Sequence, residues 1–134
     1  MLNKLALVSR VLLGAIYVFF GLNGLLHFLP MPPLPEATAK FFEGMMVTRY
    51  FFPLLASTQV LGGLMILTGI AAPLGLIILA PVTLNIVLFH VFMTPGLNNL
   101  VMPGVMVLFQ AIAAYAHLDV YKPLFACIPF RNKG

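Results

Sequence analysis

Asn23 and His27 stand four residues apart in FFGLNGLLHFLPMPPLP, residues 19–35, and a second amide and imidazole, Asn85 and His90, recur in NIVLFH. Gln59 adds another amide in TQVLGG. Such side chains donate and accept hydrogen bonds, orient a ring that carries oxygen atoms, move a proton or ligate a metal. Each of the five sits in an apolar run, where an unpaired polar group is costly. Asn23, His27, Gln59, Asn85 and His90 are therefore the candidate ligand-binding set. The sequence assigns no catalytic group.

The elements that must position them follow from composition. The chain has 134 residues, 62% of them hydrophobic and only 7% charged, with a mean hydropathy of +1.09. A domain this small exposes much of its surface, so its solvent must be a lipid bilayer. The apolar runs are continuous, without the alternation of barrel strands, and the expected fold is an all-α four-helix transmembrane bundle forming a single domain over residues 1–134. Spans are expected at about 8–29, 51–70, 73–93 and 100–117, with the first closed by Pro30 and MPPLP. In EATAKFFEGMMVTRYFF, residues 36–52, Phe41, Met45 and Phe52 form one stripe and Glu36 and Lys40 another. That pattern predicts a short amphipathic helix between spans one and two, capping the mouth of the bundle or serving as a surface linker. Ala37–Ala39 resembles a small-residue cleavage site behind the positive Lys4, but the apolar run is too long for a signal and a proline spacer separates the two.

The net charge of +4 reports orientation rather than nucleic-acid binding. Lys4, Arg10, Lys122, Arg131 and Lys133 flank the two chain ends, whereas Lys40 and Arg49 are offset by Glu36 and Glu43. By the positive-inside rule both termini are cytoplasmic, as an even number of spans requires them to share a side. At about 1.5 Å of rise per residue, the five polar side chains then fall in the outer part of the bilayer, facing one another as a pocket or as interhelical glue. At the cytoplasmic ends of spans one and four, Arg10 and Asp119 are expected to form a structural ion pair near His117. The lone Cys127 cannot make an internal disulfide, which argues against dithiol exchange.

Arg10, Gly14, Gly21 and the LNGLLHF around His27 resemble the first span of the DoxX-like family of small bacterial integral membrane proteins. QVLGGLMILTGIAAPLG, residues 59–75, is similar to its second span and following turn, and NIVLFHVFMTPG and AYAHLDVYKPLF to its closing half. The resemblance implies a multi-pass protein of the bacterial inner membrane, with some relatives acting as membrane subunits in quinone-linked sulfur oxidation or in redox and detoxification complexes. Gln59 stands where relatives often carry Glu, so a proton role for a carboxylate there does not transfer.

On that resemblance, the pocket binds a quinone head group, with His27 or His90 donating to a carbonyl and Asn23, Gln59 or Asn85 orienting the ring. The sequence holds no dinucleotide fingerprint, phosphate-binding loop or cysteine cluster, so electrons must come from an oxidoreductase partner protein. The alternatives are non-catalytic binding or transport of a small apolar ligand, and a structural membrane anchor for a partner. Haem between His27 and His90 is a further alternative, and zinc lacks a third strong ligand. No metal site is assigned.

Overall fold

The structure, a computed structural model, describes residues 1–125. Four long helices account for the apolar runs: α1 Leu2–Leu26, α3 Phe51–Thr68, α4 Ala72–Phe92 and α5 Leu97–Tyr115. Each is long and apolar enough to cross a membrane. Between the first two lies α2, Glu36–Val47, and after α5 come a single turn, α6 Leu118–Tyr121, and a 3-10 turn, Lys122–Phe125. No strand occurs among the described residues. Cys127, Arg131 and Lys133, used in the charge and thiol arguments, lie outside them.

The helices run up and down in a closed ring, α1 beside α3, α3 beside α4, α4 beside α5, and α5 back beside α1. One end of the bundle carries α2; the other carries the start of α1 and the α3–α4 turn. The tightest seam is α1 against α3. A Cβ on Gly14 would lie 2.8 Å from the Leu67 backbone nitrogen, and one on Gly21 would lie 2.9 Å from that of Val60. Such backbone approach supplies the dispersion contact that holds helices together in lipid, where apolar side chains gain little by leaving the solvent. Leu13, Tyr17, Ile66, Leu79 and Met106 fill the interior between the four spans.

The first span differs from the expected one at both ends. It begins at Leu2 and stops at Leu26, before the prolines. His27 takes the left-handed conformation, φ 52 and ψ 47, and its N–H donates to the Asn23 carbonyl at 2.7 Å. The Asn23 side-chain oxygen accepts from the Leu29 N–H at 2.9 Å. Asn23 thus satisfies donors just beyond the last turn, and helix termination needs no proline.

The amphipathic helix is present but shorter, because Thr48 and a left-handed Arg49 break it before α3 starts. Phe52 therefore belongs to α3, yet it still meets the stripe by stacking on Phe42 with ring centres 5.8 Å apart. Phe41 and Phe42 both pack on Phe89 of α4. The buried Thr38 hydroxyl donates to the Met93 carbonyl at 2.9 Å, satisfying an acceptor at the end of α4. These contacts lay α2 across the ends of α3 and α4.

The seam and the lipid-facing glycines make opposite predictions. Gly21→Leu should cost about 3 kcal/mol, the upper part of the usual overpacking range, because behind the Val60 side chain stand the Val60 nitrogen and the Ala56 carbonyl, backbone atoms that cannot move aside. Gly104 has nothing within 4 Å of an added Cβ, so Gly104→Ala should be neutral or stabilise α5 by up to about 1 kcal/mol. Thermal melts in one detergent compare the two directly.

Candidate functional site

Halfway along the bundle the interior turns polar. Tyr17 of α1, Thr83 of α4 and Gln110 of α5 are all buried. The Gln110 amide nitrogen donates to the Leu76 carbonyl at 2.9 Å, which fixes the amide with its oxygen toward Thr83. A carbonyl oxygen only accepts, so the Thr83 hydroxyl donates to Gln110 Oε1. Thr83 Oγ1 in turn receives the hydrogen of the Tyr17 hydroxyl. The chain of bonds crosses the ring diagonally from α1 to α4, passes to Gln110 on α5 and ends on the Leu76 carbonyl of α4. Thr83 also lies 2.9 Å from the Leu79 carbonyl, the back-bonding geometry open to a threonine inside a helix.

On the α2 side of this chain is a cavity of about 270 Å³. Tyr17 and Met106 line its deep end, and Gln59 of α3 and His90 of α4 supply polar walls. Ile16, Ile86 and the buried Pro103 complete its apolar surface. Phe20 and Met102 also line it while remaining 41% exposed, so the cavity reaches the bundle surface between α1 and α5.

Two of the five expected ligand-binding residues are therefore brought together here, Gln59 and His90, from different helices. Both are half-buried. The Gln59 side chain makes no hydrogen bond among the described residues, so its amide can both donate and accept in the cavity. His90 Nδ1 lies 2.8 Å from the Ile86 carbonyl. Because that oxygen cannot donate, Nδ1 carries a hydrogen, and in the neutral tautomer this leaves the lone pair on Nε2.

The other three are not at the cavity wall. Asn23 is occupied in ending α1, and His27, placed inside the first span by the sequence reading, is the exposed residue just past it. His27 and His90 consequently do not make the facing pair that a haem would need. Asn85 is exposed, as follows from its position about 140° around α4 from His90. Equal depth brings these residues to one cavity only where the helix face also matches.

Tyr17, Thr83 and Gln110 as a bonded set escaped the sequence reading. Tyr17 lies ten positions before His27 and Thr83 ten before Met93, the two residues that end α1 and α4. That equality of depth in two parallel helices was a signal available in the sequence. A threonine in a span ordinarily satisfies itself on its own helix, as Thr58 and Thr68 do here, which hid it.

At the opposite end the expected Arg10–Asp119 ion pair is replaced by separate local contacts. Asp119 points into solvent, 98% exposed, with Lys122 at 3.4 Å. Arg10 instead covers the end of α3, where its guanidinium would lie 2.9 Å from a Cβ on the left-handed Gly69. A cation there complements the negative end of the helix. His117 lies nearby in sequence, but its Nδ1 is taken up by the Ala113 carbonyl at 2.8 Å. Asp119→Ala should leave the melting temperature unchanged, whereas Arg10→Ala should cost roughly 1 kcal/mol from the lost helix-end interaction. In a double-mutant cycle the two effects should add; a coupling between them would restore the ion pair.

The DoxX family model matches residues 5–94, which take in most of α1 and all of α2 to α4, and therefore both Gln59 and His90. No curated protein and no solved structure matches the chain. The match covers well over half of the 134 residues, and on that match, together with its four apolar spans, the chain is an integral membrane protein belonging to the DoxX family.

Proposed function

We propose that this protein is a membrane subunit associated with quinone-linked redox or detoxification chemistry, and that the cavity near α2 receives the quinone head group. The observation that carries the reading is the pairing of Gln59 and His90 on a small apolar cavity that opens toward lipid between Phe20 and Met102. A cavity of about 270 Å³ is near the lower limit for small-molecule sites, the scale of a substituted ring rather than a whole lipid. An isoprenoid tail leaves past Phe20 and Met102 into the bilayer without crossing a polar surface. His90 and Gln59 then bind the ring oxygens, and Met102 and Met106 pack on its faces.

In this reading the chain binds and orients the ring, and a partner oxidoreductase supplies or removes the electrons. The host membrane is the bacterial inner membrane, with both termini cytoplasmic and α2 on the outside; the support is the positive charge near the chain ends and the even number of spans. The same cavity would serve a non-redox apolar ligand equally well in shape. What favours the quinone is the presence of two polar groups on separate walls, suited to a ring carrying two oxygens.

The protein should be purified in a mild detergent and its co-purifying small molecules identified by mass spectrometry. A quinone or its hydroquinone should be retained. Gln59→Leu should reduce retention of either form about tenfold, the equivalent of one lost hydrogen bond, and His90→Phe should do the same for the hydroquinone, whose hydroxyl can donate to Nε2. Both variants should keep melting temperatures near that of the parent, since neither side chain ties two helices together. Recovery of phospholipid alone, or retention indifferent to both substitutions, would refute the quinone reading.

Orientation has its own test. In a Cys127→Ser background, a cysteine at Lys40 should react with an impermeant thiol reagent applied from outside, and one at Lys4 should not. The reverse pattern would invert the topology.

A further inference from the structure

The hydrogen-bond chain beneath the cavity has a direction, and that direction restricts what the cavity can hold. The Leu76 carbonyl accepts from Gln110, Gln110 accepts from Thr83, and Thr83 accepts from Tyr17. Tyr17 has a single hydroxyl hydrogen, and it is committed to Thr83. The phenol that lines the cavity therefore has no hydrogen to give a ligand. In its neutral form His90 is constrained in the same sense, because the Ile86 carbonyl holds the one ring hydrogen on Nδ1 and leaves Nε2 as a lone pair. Among the polar side chains of the cavity wall in the described residues, only the Gln59 amide then has hydrogens to offer.

A carbonyl oxygen brought to His90 Nε2 would set two lone pairs against each other, while a hydroxyl there would donate. Resting on the quinone reading above, we infer that the cavity selects the reduced form of its ligand: a ring whose hydroxyl donates to His90 Nε2 and whose other oxygen accepts from Gln59. The sequence reading assigned histidine the donor's part; the Ile86 carbonyl reverses it. Preference for the reduced form has an energetic consequence. Each tenfold in affinity raises the midpoint potential of the bound two-electron couple by about 30 mV. The site thereby favours electrons arriving at the bound quinone over electrons leaving the hydroquinone.

The test uses the full protein in nanodiscs under anaerobic conditions, with tetramethylbenzoquinone, its hydroquinone and the hydroquinone dimethyl ether as probes in equilibrium dialysis. The hydroquinone should bind at least tenfold more tightly than the quinone, and the ether, which has the same ring but no hydrogen to donate, no better than the quinone. Thr83→Val should return the Tyr17 hydrogen to the cavity. The expected result is several-fold tighter quinone binding with little change for the hydroquinone, provided that the variant's melt confirms a folded bundle. A quinone bound as tightly as its hydroquinone, or a folded Thr83→Val protein with an unchanged ratio, overturns the inference while leaving the cavity a quinone site. Binding of none of the three overturns the quinone reading as well.

Discussion

The middle of a bilayer offers no water to a spare hydrogen-bonding group, so polar atoms there must satisfy one another or the backbone. In this bundle the Leu76 carbonyl sets how that is done. It accepts from Gln110, and the orientation of that amide dictates the roles of Thr83 and Tyr17. Each interhelical bond contributes only about 0.6 kcal/mol on average in a membrane, so the chain matters less for stability than for the direction it imposes. It ties α1, α4 and α5 at one level and divides the interior. The small cavity lies on the α2 side, and an open apolar groove of about 780 Å³, with Thr83 and Gln110 at its wall, lies between α4 and α5.

The remaining span is held by shape. Gly14, Gly21 and Gly63 let α1 and α3 approach to backbone contact, and this places Gln59 of α3 at the cavity that Ile16, Tyr17 and Phe20 line from α1. A longer separation would move the Gln59 amide away from its wall. At the far end of α4, Phe41 and Phe42 grip Phe89, the residue immediately before His90, and Thr38 secures the end of the helix. The small surface helix therefore fixes the element from which the imidazole projects. On the opposite side of the chain, the Tyr121 hydroxyl donates to the Pro73 carbonyl at 2.8 Å, and burial raises the pKa of that phenol above its ordinary value.

Continuous apolar runs and punctuating prolines contain enough to give the four spans, because in lipid the constraints on length and backbone pairing leave few alternatives. Gln59 and His90 were legible for the same reason: polar groups at matched depth had to be accounted for. Depth is a one-dimensional coordinate, however, and it does not distinguish a residue inside a helix from one that ends it. Asn23 and His27 look like a face of span one only if that span continues to Leu29; once Asn23 takes up the Leu29 N–H, the pair becomes a stop. Arg10 and Asp119 show the complementary limit. Opposite charge at similar depth permits a pair, but α6 carries Asp119 out into solvent while Arg10 settles over the end of α3. The Tyr17–Thr83–Gln110 chain needed the ring order of the helices, which places α1 diagonal to α4 and which sequence periodicity does not supply.

The proposed placement of the functional centre in the cavity between Gln59 and His90, rather than in the larger groove, is tested most directly by photoaffinity labelling with an azido-substituted benzoquinone in nanodiscs, followed by peptide mapping. Label should be found on Phe20, Met102 or Met106, and excess unlabelled quinone should suppress it. Label confined to the groove, on Leu84 or Val107, with none on the residues around Gln59 and His90, would contradict this account.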